Sequence, residues 1–307
     1  MRELMRHIKG DKTIWALVAI LAIFSFMPVY SASANLVNVV GGSTLGYLFK
    51  HIVLLIVGLA IIYGVHRIPY RYFSGGSVLM LPVVFVLLIF TLAQGTAIGG
   101  ANASRWIRIP FVGIGFQTST LAGLILMVYV ARYLAKNKDN PIKFKESLWQ
   151  LWLPIALILT LILPANFSTT AMIFFMILIV AFIGGYPPKY IGFIFGSGVV
   201  ILALFVLTAK AFPNLMNNRV ATWEKRMESF WLPYKGTEAY QVEKAKIAIA
   251  TGGPVGKGPG KSQQKNFLPQ SSSDFIYAII VEEYGLLGAL LIVFIYFLLL
   301  FRILITV

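Results

Sequence analysis

GGPVGKGPGKSQQKNFLPQSSSDFIYAIIVEEYG, residues 252–285, joins a glycine-rich, basic, polar run to an apolar helical stretch. One aspartate, Asp274, stands at the junction, and Glu282 and Glu283 follow inside the apolar part. Outward from this stretch the chain is overwhelmingly apolar. Its 307 residues are 58% hydrophobic and 12% charged, against about 25% charged in soluble domains. So little polar surface does not cover a water-soluble globule. The fold class is all-α, a polytopic transmembrane helix bundle. Cysteine is absent, which excludes disulfides and thiolate metal sites. His7, His51 and His66 are scattered without ligand spacing, so no zinc site is expected. The net charge of +15 fits membrane topology and anionic headgroups, and no nucleic-acid-binding pattern accompanies it.

A bilayer core takes about 20 apolar residues per helix. Eight stretches qualify: 13–32, 47–65, 76–95, 116–135, 149–164, 170–186, 189–211 and 275–306. The fifth and sixth are short and nearly abut at Pro164–Thr169, as a broken or tilted pair would. Lysine and arginine alternate between successive loops. Arg2, Arg6, Lys9 and Lys12 precede the first span; Arg67 and Arg71 follow the second; Lys136, Lys138, Lys143 and Lys145 follow the fourth. This bias puts the N-terminus in the cytoplasm, and eight spans return the C-terminus there. The 96–115 loop is then external yet carries Arg105 and Arg108, which suggests a task for them outside. Segment 212–273 is a large extracytoplasmic loop. Within it RVATWEKRMESFW (219–231) and EAYQVEKAKIAIAT (238–251) read as amphipathic helices, the second ended by Gly252 and Gly253.

Asp274 admits two readings. It caps or complements the following helix dipole, or it is a partly desolvated carboxylate whose raised pKa suits a general base. Along a continuous helix Glu282 falls about 80° round from Asp274 and Glu283 on the opposite side. The three acids therefore do not form one cluster. Glu282 and Glu283 are expected to be structural, bound to other helices or loop backbone. The run GGPVGKGPGK lacks the Walker A pattern. Its N–H groups, with Lys257, Lys261 and Lys265, either hold a pyrophosphate or form a solvated connector. In SRWIRIP (104–110), Trp106 and Arg108 share a face of any extended segment. They are either interfacial belt residues or an aromatic wall and a cation for Asp274 or a phosphate.

Taken together, these residues resemble the SEDS family (shape, elongation, division and sporulation), multi-span peptidoglycan glycosyltransferases. The family run G-x-G-x-G-x-S-x-Q-K…LP…DFI-x-A…EE-x-G appears as Gly256, Gly258, Gly260, Ser262, Gln264, Lys265, Leu268, Pro269, Asp274, Phe275, Ile276, Ala278, Glu282, Glu283 and Gly285. Arg226, Phe230, Pro233, Tyr240 and Gln241 match its upstream portion, and Trp106, Gln117 and Ser119 an earlier one. The resemblance implies an inverting polymerase that links lipid II, a disaccharide-peptide on undecaprenyl pyrophosphate, into β-1,4 glycan. It implies Asp274 as catalytic base and Arg108 as its tuning or phosphate partner. Trp106, Lys257, Gln264, Lys265 and Arg226 become substrate-binding or tuning residues. It further implies a class B penicillin-binding transpeptidase and other divisome proteins as partners, and a bacterial cytoplasmic (inner) membrane location. The division-type branch is the nearer one. No cofactor follows, with a divalent cation left open.

The chain departs from the family pattern in three places. Its QPSE reads Gln117-Thr118-Ser119-Thr120, and its QPDLGT aspartate is replaced by Asn166. Ten spans are usual, with an LPF…SYGG motif before the last, so the final two spans are expected to be missing from these 307 residues. A lipid II flippase and a non-catalytic scaffold for the transpeptidase are the competing functions. A flippase places its site near the bilayer midplane, often between repeats; here polar residues concentrate outside and no repeat is present.

Overall fold

The computed structural model describes residues 10–94, 106–108, 115–211, 237–268 and 273–306. Segment 219–231 and Arg226 lie outside them. Among the described residues the chain is a set of long apolar helices: α1 (Lys12–Val40), α2 (Thr44–Val65), α3 (Tyr70–Gln94), α4 (Thr118–Lys136), α5 (Phe144–Ile162), α6 (Phe167–Ile183), α7 (Pro188–Ala211), α8 (Thr237–Gly252) and α9 (Ile276–Thr306). Seven of these are long and apolar enough to cross a membrane, and α6 is a shorter apolar helix. Helices suit this composition because each satisfies its own backbone hydrogen bonds in lipid. Among the described residues the one departure from all-α is a hairpin, β1 (Trp106–Arg108) antiparallel to β2 (Gly115–Gln117), with Trp106 opposite Gln117 and Arg108 opposite Gly115.

The helices divide into two compact units, residues 69–227 and the remainder. In the first, α3–α6 pack around Leu126, Val130, Leu151, Ile155, Ile162 and Ile177. The expected broken pair at Pro164–Thr169 resolves into α5 and α6. Asn166 caps α6, accepting from Thr169 N–H at 3.3 Å. Asparagine and aspartate cap equally well, so Asn166 does locally what an aspartate would do there. Within α5 a π turn, Leu148–Trp152, interrupts the α-helical spacing. Its Trp152 Nε1–H donates to the buried Tyr186 hydroxyl at 2.9 Å, and Ser147 shares that hydroxyl at 2.7 Å.

In the second unit α9 packs on α1 and α8. Asp11 caps α1 by accepting from Thr13 N–H at 2.7 Å. It also meets Arg302 Nη2 of α9 at 3.0 Å. The Thr13 N–H bond, aided by the Arg302 charge, holds the Asp11 carboxyl below the usual aspartate range. The helix expected over 238–251 is α8. Its Ala245 and Ala248 are buried against Ala278 of α9, with Phe275 alongside. Helix α2 has no buried residue.

Candidate active site

The site is built on a broken helix. α9 loses helical geometry at Gly285, where φ is 69° and ψ is −177°. A continuous helix would bond Leu286 N–H to the Glu282 carbonyl and Leu287 N–H to that of Glu283. The glycine-rich run enters between them. Lys257 and Gly258 N–H donate to the Glu282 and Glu283 carbonyls, both at 2.9 Å. Leu286 and Leu287 N–H donate to the Gly253 and Pro254 carbonyls, at 2.9 and 3.2 Å. Two helical bonds are thus replaced by four bonds to a loop, and no freed backbone group is left bare in an apolar setting. Glycine is required on both sides of the contact. A Cβ on Gly285 would lie 2.4 Å from Gly256 N, and one on Gly256 would lie 2.3 Å from the Glu283 carbonyl oxygen.

The same loop wraps the two glutamates, which are fully buried. Glu282 receives the Lys257 ammonium at 2.7 Å, the Ser262 hydroxyl, and the N–H groups of Gln263 and Gln264 at 3.1 and 3.2 Å. Glu283 receives Ser262 N–H at 3.2 Å and the hydroxyl of Ser31 on α1. Lys265 Nζ donates to the Gly260 carbonyl at 2.7 Å and to Ser31 Oγ at 3.3 Å.

These bonds engage the groups expected to form either a pyrophosphate cradle or a connector. Within the run, Lys257 and Gly258 N–H donate to helix carbonyls, the Glu282 carboxylate is held by Gln263 and Gln264 N–H just beyond it, and Lys257 and Lys265 anchor the loop. Gln264 contributes its backbone N–H to that anchorage. Among the lysines of the run, Lys261 is the exposed one. Removing Lys257 strands the buried Glu282 carboxylate, at about 3–5 kcal/mol, whereas Lys257 is part-exposed and also bonds Thr251 Oγ1 at 3.1 Å, so losing Glu282 costs less on its side. Lys257→Met and Glu282→Gln are expected to destabilise by amounts that overlap, so the double variant should cost less than their sum by about 0.5–3 kcal/mol. Thermal unfolding of the four proteins in detergent checks this, and simple additivity would refute the coupling.

Asp274 lies in the turn Ser273–Phe275, directly before α9. The turn is closed by Ile276 N–H to the Ser273 carbonyl at 3.4 Å, and Ala278 N–H bonds the Phe275 carbonyl at 3.0 Å. Phe275 is packed on α8, so the residue beside Asp274 is fixed to a second helix. Asp274 itself is exposed. The partial desolvation expected for it is therefore not provided by the described residues. Trp106, half-buried on β1, and Arg108 at its end belong to the other compact unit. The hairpin sets these two positions two apart on one extended strand, and Gln117 opposite Trp106 bonds Ser119 Oγ at 3.0 Å. Sequence reasoning missed the loop–helix insertion. Its local signal was Gly285 following two adjacent acids inside a span.

The family of cell cycle proteins FtsW, RodA and SpoVE matches residues 11–307. The chain belongs to this family. Among FtsW/RodA/SpoVE relatives, the probable peptidoglycan glycosyltransferase FtsW of Alcanivorax borkumensis is 30% identical over 92% of this chain and 71% of its own length. That of Geobacter metallireducens is 28% identical over 98% and 77%. Two solved structures share the fold. One, described as a peptidoglycan synthase complex that coordinates polymerization and crosslinking, has a TM-score of 0.64 at 22% identity, over 96% of this chain and 77% of the matched one. The other, the rod shape determining protein RodA of Thermus thermophilus, has a TM-score of 0.60 at 20% identity, over 96% and 74%. The chain is a multi-pass membrane protein of this helical fold.

Proposed function

We propose that this protein is the peptidoglycan glycosyltransferase of septal cell-wall synthesis, polymerising lipid II into β-1,4 glycan with Asp274 as general base. The observation that carries the assignment is an exposed carboxylate at the head of α9, on a turn pinned to α8 by Phe275. The Asp274 carboxylate takes the proton from a sugar 4-hydroxyl. That oxygen attacks the anomeric carbon of the sugar on pyrophosphate, inverting it, and the C–O bond to pyrophosphate breaks. One displacement with inversion needs one base and a stabilised leaving group, with no second carboxylate as nucleophile. The bound substrate supplies the desolvation that the described residues do not. Trp106 and Arg108 serve as aromatic wall and cation, Lys261 as an exposed charge towards the pyrophosphate, and Arg226 as a further substrate contact. A class B penicillin-binding transpeptidase is the partner.

The test is polymerisation of lipid II by the purified protein with its transpeptidase partner, read as glycan length, for wild type and Asp274→Ala. Glycan from the variant at the wild-type level would overturn the assignment. A flippase would move lipid II across vesicles while making no polymer with either protein.

The site faces outward, with the N-terminus in the cytoplasm of a bacterium and the protein in its inner membrane. The natural lack of cysteine makes this directly measurable. Lys261→Cys in intact cells is expected to react with a membrane-impermeant maleimide, and Lys138→Cys to react only after permeabilisation. The reverse pattern would invert the orientation.

A further inference from the structure

The loop joining α4 to α5 lies at the end of the first unit away from the hairpin, since α4 begins at β2 and ends at Lys136. There the two helices enclose a cleft of about 340 Å³, lined by Tyr129, Arg132, Tyr133, Lys136, Trp149 and Gln150 among others. Arg132 and Lys136 are four residues apart on α4 and so stand one above the other on a single face. Arg132 is half-buried and Lys136 exposed. Opposite them is the π turn of α5. Such turns are rare and concentrate at functional sites. This one is held by the Tyr129 hydroxyl, which donates to the Gln150 carbonyl, and by Trp152 on Tyr186. It buries Leu151 and Trp152 while leaving Trp149 and Gln150 outward, Trp149 at 64% exposure. An exposed tryptophan beside two cations at the end of a span is the composition of a membrane–water interface.

The charge balance points the same way. Residues 131–148 hold five cations (Arg132, Lys136, Lys138, Lys143, Lys145) and two acids (Asp139, Glu146), a net +3. Glu146 is paired with Lys143 at 3.2 Å. No ion pair is formed by Arg132 or Lys136 among the described residues.

We infer that this cleft binds the phosphodiester headgroup of an anionic phospholipid. Arg132 offers planar donors to the phosphate oxygens, Lys136 adds a second charge, Gln150 bonds the glycerol, and Trp149 lies against the acyl–glycerol boundary. Basic pockets between membrane helices at the interface take such headgroups, and the volume suits a small ligand. The orientation proposed above decides only which leaflet supplies the lipid, the cytoplasmic one.

The experiment is native mass spectrometry of the detergent-purified protein, offered phosphatidylglycerol or phosphatidylcholine. The proteins compared are wild type, Arg132→Gln/Lys136→Gln and a charge-matched control, Lys138→Gln/Lys145→Gln. Preferential retention of phosphatidylglycerol by wild type and control is expected, with a roughly thirty-fold weaker affinity in the Arg132/Lys136 variant. Unchanged melting temperature in that variant shows that its loss is local. Equal retention of both lipids, equal loss in the control, or displacement of phosphatidylglycerol by inorganic phosphate would each overturn the proposal. Because lipid retention is read in micelles without lipid II, its failure is distinct from failure of the polymerase assignment.

Discussion

Replacing Asp274 with asparagine is expected to lower glycan polymerisation by about 10²–10⁴-fold, the usual worth of a general base, while leaving the melting temperature within about 1–2 °C of wild type. Asparagine separates the two roles open to this residue. It starts helices as well as aspartate does, so a residue that only prepares the beginning of α9 would tolerate the change. It accepts no proton, so a base would not. The exposed setting of Asp274 makes the distinction clean, because no buried partner is stranded by the substitution. Polymerisation rate at saturating lipid II, with thermal melting in parallel, measures both. Wild-type turnover in the asparagine variant would leave Asp274 as a helix-start residue.

Gly285→Ala is expected to destabilise the protein by on the order of 2–6 kcal/mol, enough to abolish a folded product in many membrane proteins. Two costs add. The backbone at φ 69° and ψ −177° lies in a region that is essentially reserved for glycine, at about 1–3 kcal/mol for any other residue. The added methyl would then lie 2.4 Å from the backbone of residues 254–256, which must move, at about 1–3 kcal/mol more. Moving it lengthens the bonds from Lys257, Gly258, Leu286 and Leu287 that close the helix break. Thermal unfolding and the yield of monodisperse protein in detergent report the effect. Gly196→Ala in α7 is the control, since an added atom there meets nothing within 4 Å. Equal stability of the two variants would show that the break is not held by the insertion.

Much was legible without coordinates. The eight apolar stretches correspond to α1–α7 and α9. Hydropathy works here because a span must be continuous, about 20 residues long and nearly free of charge, all of which are local properties. The helix over 238–251 was legible for a similar reason, since Gly252 and Gly253 end it. The position of Asp274 at the head of a span was equally plain. The hairpin at Trp106–Arg108 was readable only as an extended segment, because its pairing with Gly115–Gln117 depends on register across a loop.

The roles of the glycine-rich run and of the two glutamates were not decided locally. A string of glycines with lysines is compatible with an anion loop, a linker or a plug, and two acids in a span state only that something must satisfy them. What selects among these is an account of hydrogen bonds between groups some 20 to 30 positions apart, such as Lys257 N–H with the Glu282 carbonyl and Ser262 N–H with the Glu283 carboxylate. Sequence alone therefore determined a multi-span helical membrane protein with one exposed acid at a helix head. Tertiary structure decided that the loop beside that acid closes a broken helix around buried glutamates. The physical reason is that apolar spans are specified by their own composition, whereas unsatisfied backbone and buried charge are specified by whatever the fold brings to them.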